Sequence, residues 1–258
     1  MSSSQIQLRH LKSLHLGSNL RRAFGLLNRL ELPEKMDDLN LSLYGCSPSD
    51  LPPTLGPYLG NHIRRRSPDG LSLLVKPKFQ GFSIRVGDVH KFTPVDWFVT
   101  VDWVLSVTPG EEEVEKIRFD IIAHFPQEEV GSISTTLPIL RSEELCVQMC
   151  NLTLLHLDRV DLSTLFVESD PHEPHVFKDL LPGLRSIVIT EPRLSGGDWS
   201  PLTNFLTRRA AVGNQISSLR LDRYPHMDGG VVEGIKRVVE DFEDLVTEGG
   251  SDDGSDDE

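Results

Sequence analysis

The chain has 258 residues, 38% of them hydrophobic and 25% charged, enough for one solenoid or two small globular domains with a sizeable core. Its formal net charge is −13. Residues 248–258 (EGGSDDGSDDE) hold six of the acids and no base, so the remainder still carries −7. An acidic surface repels phosphate, which argues against nucleic acid and anionic membranes as main partners and leaves basic or neutral proteins.

The N-terminus, MSSSQIQLRHLKSLHL, has no basic stretch followed by an apolar run, so no signal peptide is expected. No stretch approaches ~18 uninterrupted apolar residues, so no transmembrane helix is expected either. Residues 8–19 (LRHLKSLHLGSN) open a pattern, L-x-x-L-x-L-x-x-N, with Asn19 placed to hydrogen-bond backbone where the chain leaves the strand. A short helix is predicted next, with Leu20, Phe24 and Leu27 on one face. The pattern returns at Met36/Leu39/Leu41, with Cys46 in the asparagine position. In residues 49–66, Leu51, Leu55, Leu59 and Ile63 fall at helical spacing, although Gly56 and Pro57 weaken or kink that helix.

The middle is less regular. GLSLLVKP (70–77), GFSIRVGD (81–88), DWFVTVDWVLSV (96–107) and KIRFDIIAHF (116–125) all read as strands. Trp97, Val99, Val101, Trp103 and Leu105 alternate onto one face. The strands are closer than a simple repeat requires, so a widened sheet or inserted hairpin is expected here. SEELCVQMCN (142–151) predicts a short helix capped by Ser142, with Glu143 and Glu144 at its positive end.

The clearest repeats follow, at Leu152/Leu155/Leu157, Leu184/Ile187/Ile189 and Ile216/Leu219/Leu221. The middle positions of all five units lie at 14, 39, 155, 187 and 219, so the gaps are 25, 116, 32 and 32 residues. The long gap is about four periods of roughly 29, inside the leucine-rich-repeat range. Between the last two repeats a helix is predicted with Ser200 as N-cap, Pro201 at its first position and Gly213 as its stop. A terminal helix over 229–246 is predicted from Val231, Val232, Ile235, Val238, Val239, Phe242, Leu245 and Val246, and would cap the repeat stack. The tail after it should be disordered.

The expected fold is therefore α/β: an irregular leucine-rich-repeat solenoid with a parallel inner sheet, short helices, a β-rich central insert and a C-terminal capping helix. The expected division is a repeat domain over 1–247 and an acidic tail over 248–258.

Candidate chemistry is thin. Cys146 and Cys150 lie four apart on a predicted helix with His156 nearby, but a zinc site needs about four ligands, and core thiols are the simpler reading. His172 and His175, beside Asp170 and Glu173, sit in a proline-broken loop that reads as solvated. There is no G-x-S-x-G, H-E-x-x-H, P-loop or G-x-G-x-x-G. No catalytic, cofactor-binding or metal residue is expected, no cofactor, and no enzyme. Arg64, Arg65 and Arg66 form the tight basic run, read as a solvated helix end or a contact for an acidic peptide. Trp97 and Trp103 read as core before interface. Ser255 precedes Asp256, Asp257 and Glu258, an acidophilic kinase pattern in a solubilising tail. Three cysteines are too few for a disulfide framework, so a reducing compartment, cytoplasm or nucleus, is expected.

Several passages carry a family resemblance: HLKSLHLGS, GLLNRLELPEKMDDLNLSL, TLGPYLGNHIRRR, LCVQMCNLTLLHLDRVDLS, LPGLRSIVI and PLTNFLTRRAAVGNQISSLRLDRYPHMDGGVVEGIKRVVEDFE. Their order resembles a divergent group of mushroom-type fungal F-box/leucine-rich-repeat proteins. The resemblance implies a non-catalytic adaptor whose repeats recognise a protein. An F-box, which would dock a Skp1-type linker, is not seen before Leu8. The alternatives are a free-standing repeat scaffold with an acidic tail, similar to the acidic leucine-rich nuclear phosphoproteins and binding basic proteins, or a truncated gene fragment. A monomer with an unassigned partner-binding face is expected.

Overall fold

The computed structural model describes residues 6–33, 36–46, 51–66, 71–78, 81–88, 97–105, 111–136, 143–165, 181–194, 197–224 and 227–245. Strands β1 (Ile6–Gln7) and β3 (Leu30–Glu31) form a small parallel pair. The other strands are β2 (Ser13–Asn19), β4 (Asp38–Cys46), β5 (Leu71–Lys78), β6 (Gly81–Asp88), β7 (Trp97–Leu105), β8 (Val130–Thr135), β9 (Leu154–Asp158), β10 (Ser186–Thr190), β11 (Ser218–Asp222) and β12 (Asp241–Leu245). They make one ten-stranded sheet in the order β12-β11-β10-β9-β8-β5-β6-β7-β4-β2. Only β6 runs against the rest, antiparallel to both β5 and β7. The protein is thus mixed α/β, with a large, mostly parallel sheet.

The leucine pattern supplies the sheet's buried face. Leu39, Leu41, Leu155, Leu157, Ile187, Ile189, Leu219 and Leu221 are all at most 1% exposed. Leu14 and Leu16, on the outermost β2, are partly buried. Successive strands of the last three repeats pair residue for residue, Leu155 beside Ile187 beside Leu219.

The long gap between repeats is filled out of chain order. Helix α2 (Leu51–Arg66) carries the chain from β4 to β5, which lies three places away. Strands β6 and β7 then fold back to fill the space up to β4. Helix α3 (Glu111–Ile122) carries the chain from β7 to β8, beyond β5. The two helices bridge overlapping stretches of sheet and pack on each other. Leu55, Leu59 and Ile63, at the expected spacing, are fully buried. The close approach needs glycine: a Cβ on Gly60 would lie 2.1 Å from the His124 carbonyl oxygen, and one on Gly56 would lie 2.2 Å from the His124 ring. Arg64 Nη2 donates to that same carbonyl at 3.0 Å.

Three local expectations are corrected. KIRFDIIAHF is helix and turn, not strand: three glutamates open α3 at its positive end, and Ile117 and Ile121 are buried four residues apart. The terminal helix, α7 (Gly229–Lys236), stops ten residues before the expected end. Phe242 and Leu245 fit a helical stripe by coincidence of spacing, but Asp241–Leu245 pairs in parallel with β11 and meets its backbone demand. A strand, not a helix, therefore closes that end of the sheet. In α6 (Ser200–Ala211) the N-cap is Trp199, and Asp198 Oδ1 accepts from the Ser200 N–H at 2.8 Å. Gly213, at φ +80°, does end this segment, and Asn19 does cap α1 (Leu20–Leu27) by accepting from Arg22 N at 3.0 Å. Helix α4 (Glu143–Gln148) lies where expected, and a further short helix, α5 (Leu162–Leu165), follows β9. Ser142 and the acidic tail lie outside the described residues.

Arg209 ties α6 to the start of β10. It is 3% exposed, its Nε donates to Asn214 O at 3.0 Å, and its Nη2 donates to Leu181 O and Leu184 O at 3.1 and 3.3 Å. Its guanidinium lies 5.8 Å from the Phe205 ring centroid. Burial, with Arg185 nearby, brings its pKa down to about 10, so it remains a cation at neutral pH. Replacing it with Met strands three carbonyls, and urea unfolding should show a loss of about 3 kcal/mol; Lys, lacking the planar fork, should recover less than half of that. Glycine substitutions in two helices should move in opposite directions. Gly60→Ala forces α2 off α3 and should cost about 2 kcal/mol despite better helix propensity, whereas Gly234→Ala in α7, with open space around it, should gain up to about 1 kcal/mol.

Candidate functional site: the polar face of the sheet

Side chains alternate along a strand, so burying the leucines turns the intervening residues to the opposite face. The register places one such row across all ten strands: His15, Asn40, Thr100, Arg85, Leu74, Ser134, His156, Val188, Arg220 and Glu243. Eight of these ten side chains are polar. The core and the described helices lie on the other face. A neighbouring row brings Ser72 Oγ within 2.5 Å of Ser132 Oγ.

His156 sits near the middle of the long row. Its Nδ1 is 3.1 Å from Ser134 Oγ and its Nε2 is 3.0 Å from Thr190 Oγ1, so the ring spans three strands through two hydroxyls. A neutral imidazole offers one donor and one acceptor, and each hydroxyl can rotate to match. Cys146 is buried, and Cys150 is exposed in the turn after α4, beyond the helix end. Among the described residues no group of three or more His, Cys, Asp or Glu is placed to hold a metal ion. No described helix is long and apolar enough to cross a membrane.

A second feature lies at the strand ends, and the sequence reading missed it. Arg159, Glu191 and Arg223 each follow the last residue of β9, β10 and β11, at intervals of 32 residues. All three adopt the left-handed backbone, with φ of +56°, +48° and +51°. The turn continues the sheet's ladder: Arg159 N donates to Thr190 O at 2.8 Å, and Glu191 N to Asp222 O at 2.9 Å. Glu191 lies between the arginines, with Oε2 2.6 Å from Arg159 Nε and Oε1 2.5 Å from Arg223 Nη1. Asp158 and Asp222 stand 4.0 and 3.6 Å from the Arg159 and Arg223 Nε atoms. The signal was visible as D-R, T-E and D-R after each strand pattern, but charge order across a sheet appears only when the strands are stacked.

The remaining sequence candidates separate. Arg64 and Arg65 are exposed near the end of α2, as a solvated helix end requires, and Arg64 is engaged with α3. Val99 and Val101 are fully buried, which fixes the inward face of β7. The side chains of Cys46, Arg66, Trp97 and Trp103, and all of His172, His175 and Ser255, lie outside the described residues.

No family model, curated protein or solved structure matches the chain.

The Arg159 hydrogen bond holds the Glu191 carboxyl below its ordinary value of 4.5, opposed by partial desolvation and aided by Arg223. The folded state therefore binds this proton less readily than the unfolded chain. The ladder's stabilisation is present above the ordinary carboxylate pKa and is lost as pH falls through the lowered one. Carbon-detected NMR titration should place Glu191 below 4.5, and Arg159→Ala should raise it more than Arg223→Ala does.

Proposed function

We propose that the chain is a non-catalytic protein-recognition scaffold of the leucine-rich-repeat type, with the polar face of the sheet as its binding surface. The observation that carries this reading is the register-aligned row of His156, Val188, Arg220 and their neighbours on the face away from the core. Recognition there works by shape and charge complementarity, side chain against side chain, and needs no cofactor. The resemblance to fungal F-box/leucine-rich-repeat proteins supports an adaptor role, with a Skp1-type linker engaged only through an F-box in the native gene product. A cytoplasmic or nuclear setting belongs to the same reading.

A free-standing scaffold for basic proteins is the second reading. It is favoured by the acids at and just before β12, where Glu240, Asp241, Glu243 and Asp244 stand within five residues.

A tag at the C-terminus of the native gene, followed by purification and mass spectrometry, separates them. The adaptor reading expects F-box peptides in the bait and a Skp1-type linker beside it; histone-like basic proteins without the linker favour the second. In either case, Val188→Arg with Arg220→Glu should weaken the partner at least about tenfold. Val147→Glu, on the exposed side of α4, should leave it unchanged. Equal binding by both variants would remove the sheet face as the binding surface.

A further inference from the structure

Among the described residues the two outermost strands of the ten-stranded sheet are β2 and β12, and both run in the same direction. A strand at a sheet edge leaves one row of N–H and C=O groups without a strand partner. At ~4.8 Å per strand these edges lie roughly 40 Å apart, so one chain cannot pair them with each other.

The chain segments that supply the two edge strands carry opposite charge. Residues 1–30 hold Arg9, Lys12, Arg21, Arg22 and Arg29 and no acid. Residues 240–258 hold ten acids and no base, four of them in the described stretch 240–245. Both edges are also apolar on their inner side. Leu11, Leu14 and Leu16 are only partly buried beside β2, as are Val238 and Phe242 beside β12.

We propose that the chain assembles head to tail, the β12 edge of one copy adding in parallel to the β2 edge of a second. Because all strands but β6 share one direction, this pairing continues the sheet with the hydrogen-bond pattern it already has. Extending the existing register sets Glu243 beside His15 and Phe242 beside Leu14. Each copy already pairs the charge on its own side of that junction: Arg220 Nη1 lies 3.8 Å from Glu243 Oε2, and His15 Nε2 lies 2.6 Å from Asp38 Oδ2. The junction therefore places the Glu243 carboxylate between Arg220 of its own copy and the His15 imidazole of the next, with Asn40 following in the same row. The one mismatch is Asp244 beside Leu16, and that carboxylate is already held by the Tyr224 hydroxyl. A heterologous contact of this kind leaves one edge of each kind unpaired in a dimer, so further copies can add and the product is a series of oligomers, not a fixed dimer.

Sedimentation velocity of the full chain tests this. In 0.1 M salt the mass should rise with concentration in multiples of 28.9 kDa, and in 1 M salt, where the screening length falls to about 3 Å, it should return to the monomer. Asp241→Lys with Glu243→Lys should give a monomer, as should Arg9→Glu with Lys12→Glu; all four positions are exposed, and circular dichroism checks that each variant folds. Mixing the two variants restores opposite charge across the junction and should restore association, as should all four substitutions in one chain. A monomer at every concentration overturns the proposal. So does association that survives either variant alone, or variants that stay monomeric when mixed.

Discussion

A parallel sheet requires that each strand be returned to the same starting end before the next can be laid down. The return path cannot thread the sheet, so it runs over one face as helix or turn. Here the described helices share the face that holds the leucine pairs, and both demands meet in one core. The other face is left to residues that packing does not choose. Its composition follows: serine, threonine, histidine, arginine and acid, with Leu74 and Val188 as the apolar members of the long row. That surface is aligned by backbone register but free in side-chain identity.

The 32-residue period has a consequence beyond packing. It reproduces one backbone conformation at three successive strand ends, and that conformation is the left-handed one at residues other than glycine. Such backbone is tolerated where surroundings determine it, and here the amides of Arg159 and Glu191 are committed to the neighbouring strand. Stacked turns then bring three side chains into line, and alternating charge is the arrangement that makes the stack attractive. Arg209 performs a related task inside the protein, closing two carbonyls just before β10 and one at Asn214, where the chain leaves α6 for β11.

The sequence was informative wherever contacts are local or repeat at a fixed interval. The buried positions of the last three repeats, the cap at Asn19, the stop at Gly213 and the strands at 71–78, 81–88 and 97–105 are legible because spacing alone decides them. Strand order is different. That β7, not β5, lies beside β4 depends on two crossovers packing against each other, and the residues that permit it are a pair of glycines whose partner, His124, is more than sixty residues away. The misread stretches, 116–125 and 237–246, share a cause. Short runs of valine, isoleucine and phenylalanine satisfy helical and strand periods equally well, and only a vacant strand edge or a facing helix chooses between them. The polar row and the Arg–Glu–Arg ladder were out of reach for the same reason, since each is a relation between strands.

The face and the edges of the sheet differ in what they can discriminate. Binding on the face depends on side chains, which can differ from strand to strand without disturbing the core. Binding at an edge depends first on backbone, which every extended segment offers, so selectivity there must come from charge and register. The acids of β12 repel a partner of like charge and admit a basic one; the basic residues around β2 do the reverse. One chain carrying both signs at opposite ends is complementary to itself in the direction in which its sheet already grows. Edge pairing would also lengthen the polar row without altering it, so that a partner bound across the junction would hold two copies together. Assembly and recognition would then be linked: whatever binds the extended face favours the joined state, and joining raises affinity for anything long enough to span it.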